Sequence, residues 1–483
     1  MSAGDDKIVS NAMSNSEEGS STASSEPAIA LLPWGNVFED FLDTIKVSFE
    51  TFCDEFMGSW MFGYVEALRR AGVRTVIICM SARVSVPSRY RHVPTGATIC
   101  LLPVPWSYRV IRSKLLNPYG RTIKQALGEV RGSRMLLFPL LALSKEIVLY
   151  LTTPLRSVAR ELGREGCSAI LCQEYEYPRF DACLLLGRWM GLPVFATFQG
   201  GDYQRSRIER YLRPHTLRAS SGLIIGTQTE SQRVRARYGL PPGKIARIFN
   251  PIDLAIWSGV DRDEAKHALG IPLGARVVMW HGRVSMQQKG LDVLLEAWER
   301  FCRSCRGRDL RLLLVGTGKD TERVQQQIAS MQLEGVSWVN EFVHDRSAIC
   351  RYLSAGDVYV FPSRHEGFPV SPIEAMACGL PVIAADAQGV SDIFEDGEAS
   401  GGIVVPRDDP EALALALGRL IDDPVLSSEL GNRARRRAET CFSLDTIGKQ
   451  LREFLLQGRF ETGAIAEPRT RAYQEEPVMR SVR

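Results

Sequence analysis

One stretch of the chain, residues 357–386, limits the possible folds more than any other part of the sequence. It reads as a strand, a loop, a short helix and a second strand. Residues 357–361 and 382–385 are rich in β-branched and aromatic side chains, which is typical of strands buried in a parallel sheet. A helix is predicted between them, with Gly379 and Pro381 as its stop signal. A strand, a helix and a parallel strand in this order predict an α/β fold.

The start of this helix predicts an anion-binding site. Ser371 is suited to be the N-cap, Pro372 falls at the first helical position, and Glu374 at the third position completes a capping box. The loop of residues 366–370 therefore leads into a helix whose free N–H groups point outward. This loop follows the carboxyl end of a parallel strand, where open α/β sheets bind their ligands.

Two carboxylates, Glu366 and Glu374, border the predicted anion site. They would repel a phosphate, whereas sugar hydroxyls would donate hydrogen bonds to them. A ligand with a central pyrophosphate and a polyol on either side fits this arrangement. Two plainer interpretations stay open: Glu374 serves only as a capping residue, and Glu366 is a solvated charge on a loop.

A second motif places two cations beside another predicted strand, residues 277–280. Arg283 and Lys289 follow this strand. Together they would supply countercharge for a leaving diphosphate, which a helix N-terminus alone does not provide. Gly316 follows a later strand, and a glycine there permits a close approach of the backbone to a nucleotide.

Residues 366–386 resemble the signature of glycosyltransferase family 4, whose members are retaining enzymes of the GT-B fold that use nucleotide-sugar donors. The resemblance covers residues 195–450 well and residues 28–190 loosely. It implies that Glu366 contacts the donor sugar and that Glu374 holds the nucleotide ribose. Both roles agree with the hydrogen-bonding capacity of a carboxylate.

The resemblance also implies roles for the cations. The residues that match Arg283 and Lys289 bind the donor pyrophosphate, so these two and Glu366 form the implied catalytic group. Gln199 stands where the family usually carries a histidine facing the donor sugar, and a glutamine can hydrogen-bond a hydroxyl but cannot titrate. The donor-binding residues implied are Gly282, Gly316, Gly367, Phe368, Pro369, Val370, Ser371, Glu374, Phe342 and Gln199. The acceptor-side residues are Gly35, Glu174 and Asp202.

For the whole chain, the resemblance implies two doubly wound, Rossmann-like parallel-sheet domains that face each other across a cleft. No metal and no further cofactor are expected, because the cations and the helix dipole carry the charge of the diphosphate. The implied organisation is a disordered tail (1–27), an acceptor-binding domain (28–254), a nucleotide-sugar-binding domain (255–442), a helix that crosses back (443–457) and a second disordered tail (458–483).

The bulk properties exclude several classes of protein. A net charge of +3 over 483 residues gives no reason to expect a nucleic-acid partner. The 11 cysteines are scattered and odd in number, without disulfide-like spacing, which favours a reducing cytoplasm. Residues 1–27 lack the apolar segment of a signal peptide. The most apolar run, residues 135–151, is too short and too polar to span a bilayer.

Two segments leave functional alternatives open. Residues 37–57 are long for a strand-to-helix connection, so they form either a lid or acceptor-binding element or an extra surface helix. Residues 105–134 interleave aromatic and basic side chains, which suits an anionic membrane surface, a phosphate-bearing acceptor, or the solvated face of an ordinary crossover helix. The basic side chains of that segment are Arg109, Arg112, Lys114, Arg121, Lys124, Arg131 and Arg134.

The motifs and the resemblance predict a retaining glycosyltransferase. It would move a sugar from a nucleotide-sugar donor to a hydroxyl of a glycan or a lipid-linked acceptor, in polysaccharide or glycoconjugate biosynthesis. Two alternatives stay open. The departures at Gln199 and Gly35, where the family has a histidine and a glycine pair, favour a non-catalytic nucleotide-sugar-binding homologue. A nucleotide-sugar 2-epimerase shares the fold, and a fold alone does not define a reaction.

Overall fold

The computed structural model describes residues 26–33, 37–57, 60–113, 147–200, 207–305 and 307–456. Nearly all of the two predicted tails lies outside these ranges. The described residues form two sheets, one in each half of the chain, as the α/β prediction requires.

The first sheet has the strand order β3-β4-β2-β1-β5-β6-β7-β8. Its strands are Ala28–Leu32 (β1), Arg74–Ser81 (β2), Ser88–Arg91 (β3), Thr98–Pro103 (β4), Cys167–Cys172 (β5), Val194–Phe198 (β6), Gly222–Ile225 (β7) and Ile245–Ala246 (β8). All neighbours are parallel except β3 and β4, which pair antiparallel. The sequence analysis missed β3, because this short edge strand is mostly polar and has no apolar run.

Helices cover both faces of this sheet. They are Phe38–Ile45 (α1), Phe49–Asp54 (α2), Trp60–Arg70 (α3), Trp106–Arg112 (α4), Leu155–Arg164 (α5), Pro178–Met190 (α6), Arg207–Ala219 (α7) and Gln228–Tyr238 (α8). The central strand β1 is buried along its whole length. Its side chains alternate between two apolar clusters, with Ile29 and Leu31 on one face and Ala30 and Leu32 on the other.

The segment 37–57 forms helices α1 and α2. Phe38 and Phe52 are buried, and their rings meet edge to face at 4.8 Å. These helices are therefore part of the core of the first domain, which argues against the alternative of an extra surface helix. The other alternative, a lid or an acceptor-binding element, stays a prediction.

The second sheet is entirely parallel, with the order β11-β10-β9-β12-β13-β14. Its strands are Arg276–His281 (β9), Leu310–Val315 (β10), Val336–Val339 (β11), Val358–Phe361 (β12), Val382–Ala385 (β13) and Gly402–Val405 (β14). The order runs outward in both directions from β9 and β12. These two neighbours are the topological switch point, where doubly wound sheets bind ligands.

The helices of the second half, all but the last, surround this sheet. They are Arg262–Ala268 (α9), Met286–Lys289 (α10), Leu291–Ser304 (α11), Thr321–Ser330 (α12), Arg346–Ser354 (α13), Ser371–Ala377 (α14), Pro410–Asp422 (α15), Pro424–Cys441 (α16) and Leu444–Leu456 (α17). In the described part of the chain, none of the helices combines the length and the apolar character needed to cross a membrane.

The last helix, α17, packs on α3 of the first domain. Ile447 and Leu451 are buried there in the same apolar cluster as the first sheet. Gly448 makes the close crossing possible, since a Cβ at this position would lie 2.1 Å from the carbonyl oxygen of Ala67. The second domain is thus connected to the first domain at both of its ends, by the continuous chain before it and by helix α17 after it.

We expect Gly448→Ala to destabilise the protein, because the added methyl group would force the two helices apart. Overpacking of this kind typically lowers the free energy of unfolding by about 1 to 3 kcal/mol. Gly418→Ala is the matched control: Gly418 lies in helix α15 with nothing within 4 Å of the added Cβ, so this variant should be neutral or more stable. Denaturant titration of both variants tests the helix crossing, and equal stabilities would refute it.

Candidate functional site

The candidate site lies at the switch point of the second sheet, in the loops that follow β9 and β12. At its centre, the ammonium group of Lys289 lies 2.6 Å from a carboxylate oxygen of Glu366. Glu366 is only 8% exposed, and Lys289 also lies over the ring of Phe361, 5.6 Å from its centroid. A carboxylate this deeply buried needs such a partner, since an unpaired buried charge is strongly unfavourable. Glu366 is therefore not the solvated loop charge of the alternative interpretation.

Arg364 holds the Glu366 loop in place. Its guanidinium group donates to both carboxylate oxygens of Asp292, at 2.8 Å each, and also contacts Asp408. A further bond reaches the carbonyl oxygen of Gln287, at 3.1 Å. The loop after β12 is thereby tied to helices α10 and α11 after β9, which sets the distance between Glu366 and Lys289.

The segments that follow the neighbouring strands β9 and β10 contact each other through their backbones. A Cβ on Gly316 would lie 2.0 Å from the carbonyl oxygen of Gly282, so no other residue fits at Gly316 without a shift of the chain. Both residues also have positive φ angles, 149° at Gly282 and 133° at Gly316, which favour glycine. The structure thus brings these two predicted donor-binding residues into direct contact beside the site.

Helix α14 begins differently from the prediction. Its N-cap is Val370, no side chain caps it, and Ser371 is its first residue. The predicted capping box is wrong, because the chain already turns into the helical region at Val370, where φ is −91° and ψ is −32°. The carboxylate of Glu374 instead lies 2.8 Å from Nε2 of His281, at the end of β9. Capping alone therefore does not account for Glu374.

Two further side chains, His281 and Arg346, complete this edge of the site, and the sequence analysis assigned no function to either. His281 is buried, and its second ring nitrogen, Nδ1, has no hydrogen-bond partner among the described residues. Arg346, the first residue of α13, is partly buried, and this burial lowers the pKa of its guanidinium group while the carboxylates of Glu374 and Asp253 oppose that shift. It also donates to the carbonyl oxygen of Met57 in the first domain.

The two domains touch at the loop of residues 366–370, which we call the donor loop after its predicted role. A Cβ on Gly367 would lie 2.4 Å from both the carbonyl oxygen of Gln199 and the Cα atom of Gly200. Gly200 has a φ angle of 92°, and a Cβ there would lie 2.5 Å from the Cα atom of Gly367. These two glycines let the carboxyl end of β6 in the first sheet approach the loop after β12 in the second.

The side chain of Gln199 is already engaged within the first domain. Its carbonyl oxygen accepts a hydrogen bond from Nδ2 of Asn250, at 2.8 Å. Its backbone N–H donates to a carboxylate oxygen of Glu174, at 2.9 Å. Gln199 thus lies where the domains meet, next to Gly200, and a contact with the donor sugar stays a prediction.

Glu174, predicted on the acceptor side, is an unusual carboxyl group. It follows β5 at the switch point of the first sheet, has a φ angle of 39°, and its Oε2 atom has no partner among the described residues. Burial raises the pKa of Glu174 to about 8; the N–H of Gln199 opposes this shift, and the carboxylates of Glu176 and Glu230 add to it. The group is therefore mainly protonated at neutral pH.

The structure also locates the remaining predicted residues. Arg283 is exposed, and its guanidinium group donates to the side chain of Gln288 at 3.2 Å. Phe342 is 61% exposed. The ring of Phe368 stacks on Phe249 of the first domain at 5.0 Å, so a donor contact at Phe368 would come from its backbone, as the resemblance implies. Pro369 is buried beside it.

Two acceptor-side predictions cannot be placed, since Gly35 and Asp202 lie outside the described residues. Among the residues that are described, no group of three or more His, Cys, Asp and Glu side chains is arranged to hold a metal ion. The expectation that no metal takes part stays a prediction.

Solved structures with the same arrangement of two sheets define the class of the fold. Sucrose-phosphate synthase from Thermosynechococcus elongatus superimposes with a TM-score of 0.61 and 20% identity, over 89% of this chain and 98% of its own. Anabaena HepE in complex with UDP gives a TM-score of 0.61 and 16% identity, over 89% of this chain and 99% of its own. The fold is thus of the GT-B type.

Sequence comparison defines the family. Residues 58–256 match the profile described as Glycosyltransferase Family 4, and residues 275–423 match that of Glycosyl transferases group 1. The chain is 30% identical over 268 residues to alpha-maltose-1-phosphate synthase from Mycolicibacterium smegmatis, covering 53% of this chain and 67% of the relative. It is 31% identical over 235 residues to D-inositol 3-phosphate glycosyltransferase from Kineococcus radiotolerans, covering 46% of this chain and 54% of that relative. This chain belongs to glycosyltransferase family 4.

The raised pKa of Glu174 predicts a specific dependence of stability on pH. The folded state favours the protonated carboxyl group of Glu174. The contribution of this group to the free energy of unfolding is therefore complete below the pKa of the unfolded state, near 4.3, and is lost as pH rises through about 8. Glu174→Gln keeps an acceptor for the Gln199 N–H and does not titrate. We expect its free energy of unfolding to gain on the wild type by up to about 1.4 kcal/mol per pH unit between roughly pH 5 and 8. A difference that does not change with pH would contradict this.

Proposed function

We propose that this protein is a retaining glycosyltransferase that moves a sugar from a nucleotide-diphosphate-sugar to a hydroxyl of a glycan or a lipid-linked acceptor. The observation that carries the proposal is the buried ion pair of Lys289 and Glu366 at the switch point of the second sheet. Here a cation for a diphosphate and an acceptor for sugar hydroxyls lie side by side.

In this proposal, the diphosphate of the donor competes with Glu366 for Lys289. As Lys289 turns to the phosphates, the carboxylate of Glu366 becomes free to accept hydrogen bonds from the sugar. Arg283, exposed and bonded to one neutral amide, is suited to be the second cation. Donors of this kind, aimed at the charge that develops on a leaving group, are typically worth about 3 to 4 kcal/mol each in the transition state.

The other end of the donor would meet Glu374. Its carboxylate already accepts from His281 and retains capacity for the hydroxyls of a ribose. The leaving diphosphate would take the proton of the incoming hydroxyl on the same face of the sugar, which retains the configuration and needs no protein nucleophile. Anabaena HepE has been crystallised with UDP and with UDP-glucose, so we propose uridine diphosphate sugars as the first donors to test.

The two alternative functions are separated by one experiment. The protein is incubated with a panel of nucleotide sugars and a cell extract of lipids and glycans. Release of nucleoside diphosphate together with a glycosylated product supports the transferase. Binding without release indicates a non-catalytic homologue, and an altered sugar still attached to its nucleotide indicates an epimerase.

We expect Glu366→Gln and Lys289→Gln each to lower turnover at saturating donor by about 100-fold or more, because each removes one charge from the proposed site. Glutamine keeps most of the volume of both side chains and can hydrogen-bond the remaining partner, so the fold should persist at some cost in stability, which a thermal melt of each variant checks. Arg419→Ala, which breaks the exposed pair of Arg419 with Glu398 elsewhere in the second domain, is the control and should retain activity. Wild-type turnover in either site variant would refute the assignment.

We further propose that the protein associates peripherally with anionic membranes from the cytoplasmic side. All 11 cysteines are free thiols, which agrees with a reducing compartment. In segment 105–134, Trp106 is 78% exposed, as an interfacial tryptophan would be. Arg112, however, is bonded to Asp40, and Arg109 to the carbonyl oxygen of Val84, so neither is a simple membrane contact. The remaining basic residues of this segment lie outside the described ranges.

Vesicle co-sedimentation tests the membrane proposal. We expect binding to anionic but not to neutral vesicles, weakened by salt, with about 1 kcal/mol contributed by each engaged Lys or Arg. A triple charge reversal at Lys114, Arg121 and Lys124 should weaken it. The control reverses three exposed arginines of the second domain, which are Arg303, Arg308 and Arg436. Equal binding by the two triple variants, or no binding at low salt, would rule the proposal out.

A further inference from the structure

The segment that follows β13 reaches across to the first domain. Gly389 has a φ angle of 83°, and a Cβ there would lie 2.3 Å from the carbonyl oxygen of Gly367 and 3.4 Å from the methyl group of Thr227. The segment is thus wedged between the donor loop of its own domain and the end of β7 in the other. Any change in the relative position of the two domains must therefore change the contacts of this segment.

Asp392, in this segment, caps a helix of the other domain. Its Oδ1 atom accepts a hydrogen bond from the backbone N–H of Gln228, the first residue of α8, at 2.8 Å. The N-cap of that helix, Thr227, makes no side-chain capping bond, and its buried hydroxyl has no partner among the described residues. A carboxylate at a helix N-terminus is favourable, because it satisfies a free N–H and faces the positive end of the helix dipole.

The same carboxylate is paired with a cation from the first domain. Arg247, just after β8, donates to Oδ1 of Asp392 at 2.9 Å and to Glu395 at 3.1 Å. The side chain of Asp392 is 2% exposed and that of Arg247 is 34% exposed, so the pair is partly shielded from water. Burial works against the charge on Glu395, yet Arg247 and Arg437 hold the pKa of that carboxyl below its usual range.

Further contacts hold both Asp392 and Arg247 in place. Arg437 of α16 donates to the carbonyl oxygens of Asp392 and Ile393, at 3.2 and 2.5 Å. The guanidinium group of Arg247 lies over the ring of Phe249, 5.2 Å from its centroid, and Phe249 in turn stacks on Phe368 of the donor loop. The contact is therefore built into the packing next to the site.

We propose that Asp392 is a positioning residue that holds the two domains in the arrangement where Gly200 meets Gly367. In that arrangement a donor bound to the second domain faces the acceptor side of the first. When the domains separate, the helix α8 loses its cap and Arg247 loses its partner, which favours the joined state. The consequence for turnover rests on the proposed function, whereas the consequence for domain arrangement does not.

The test compares Asp392→Ala, Asp392→Asn, Arg247→Ala and the Asp392→Ala, Arg247→Ala double variant. Asn keeps an acceptor for the Gln228 N–H but loses the charge, so it should lie between wild type and Ala. Three quantities are measured: the radius of gyration by small-angle X-ray scattering with UDP, the Kd for UDP by calorimetry, and kcat with UDP-sugar donors. Arg419→Ala is the matched control, since its ion pair lies within the second domain.

For Asp392→Ala we expect a larger radius of gyration with UDP and a kcat lowered by about tenfold to a hundredfold, because misplaced reactants lose much of their reactivity. The Kd for UDP should change by less than about twofold, and the double variant should be less impaired than the sum of the single effects. An unchanged scattering profile, or a loss of UDP affinity in parallel with kcat, would overturn the proposal. If the wild type shows no turnover, the proposed function fails and the scattering data alone decide on Asp392.

Discussion

The ion pair between Lys289 and Glu366 is the interaction on which the candidate site depends. It joins the loops that follow the two central strands of the second sheet, β9 and β12, where the strand order of a doubly wound sheet reverses and leaves room for a ligand. Burial makes each charge dependent on the other, so the pair persists until a ligand offers a better partner. Arg364 fixes the spacing of the two loops, so the fold itself places Lys289 beside Glu366.

The second requirement is close contact between backbones. Gly367 of the donor loop meets Gly200 of the first domain on one side and Gly389 on the other, at distances that leave no room for a side chain. This allows the two domains to meet at the donor loop without a layer of side chains between them. The interdomain contact of Asp392 with Gln228 and Arg247 lies directly beside these glycines, so alignment of the domains and geometry of the site are physically linked.

Much of the fold and part of the candidate site could be predicted from the sequence, because parallel strands and glycine turns leave local patterns. The spacing of Arg283, Lys289 and Glu366 relative to predicted strands was enough to place them near one edge of a sheet. The start of helix α14 was predicted wrongly, because Ser371, Pro372 and Glu374 match the pattern of a capping box. In the structure, Glu374 contacts His281 instead, which lies on a strand distant in sequence. The interdomain contacts of Arg346 and Asp392 leave no local pattern at all, because they depend on how two separate sheets are placed.

If Glu366 and the donor diphosphate compete for Lys289, the affinity of the protein for UDP alone must depend on both side chains. UDP has a diphosphate but no sugar for Glu366 to bind. Calorimetric titration of Glu366→Gln should therefore show tighter UDP binding than the wild type, since Lys289 no longer has to leave a carboxylate, while Lys289→Gln should bind UDP more weakly. Weaker UDP binding by Glu366→Gln would show that Glu366 does not compete with the diphosphate for Lys289.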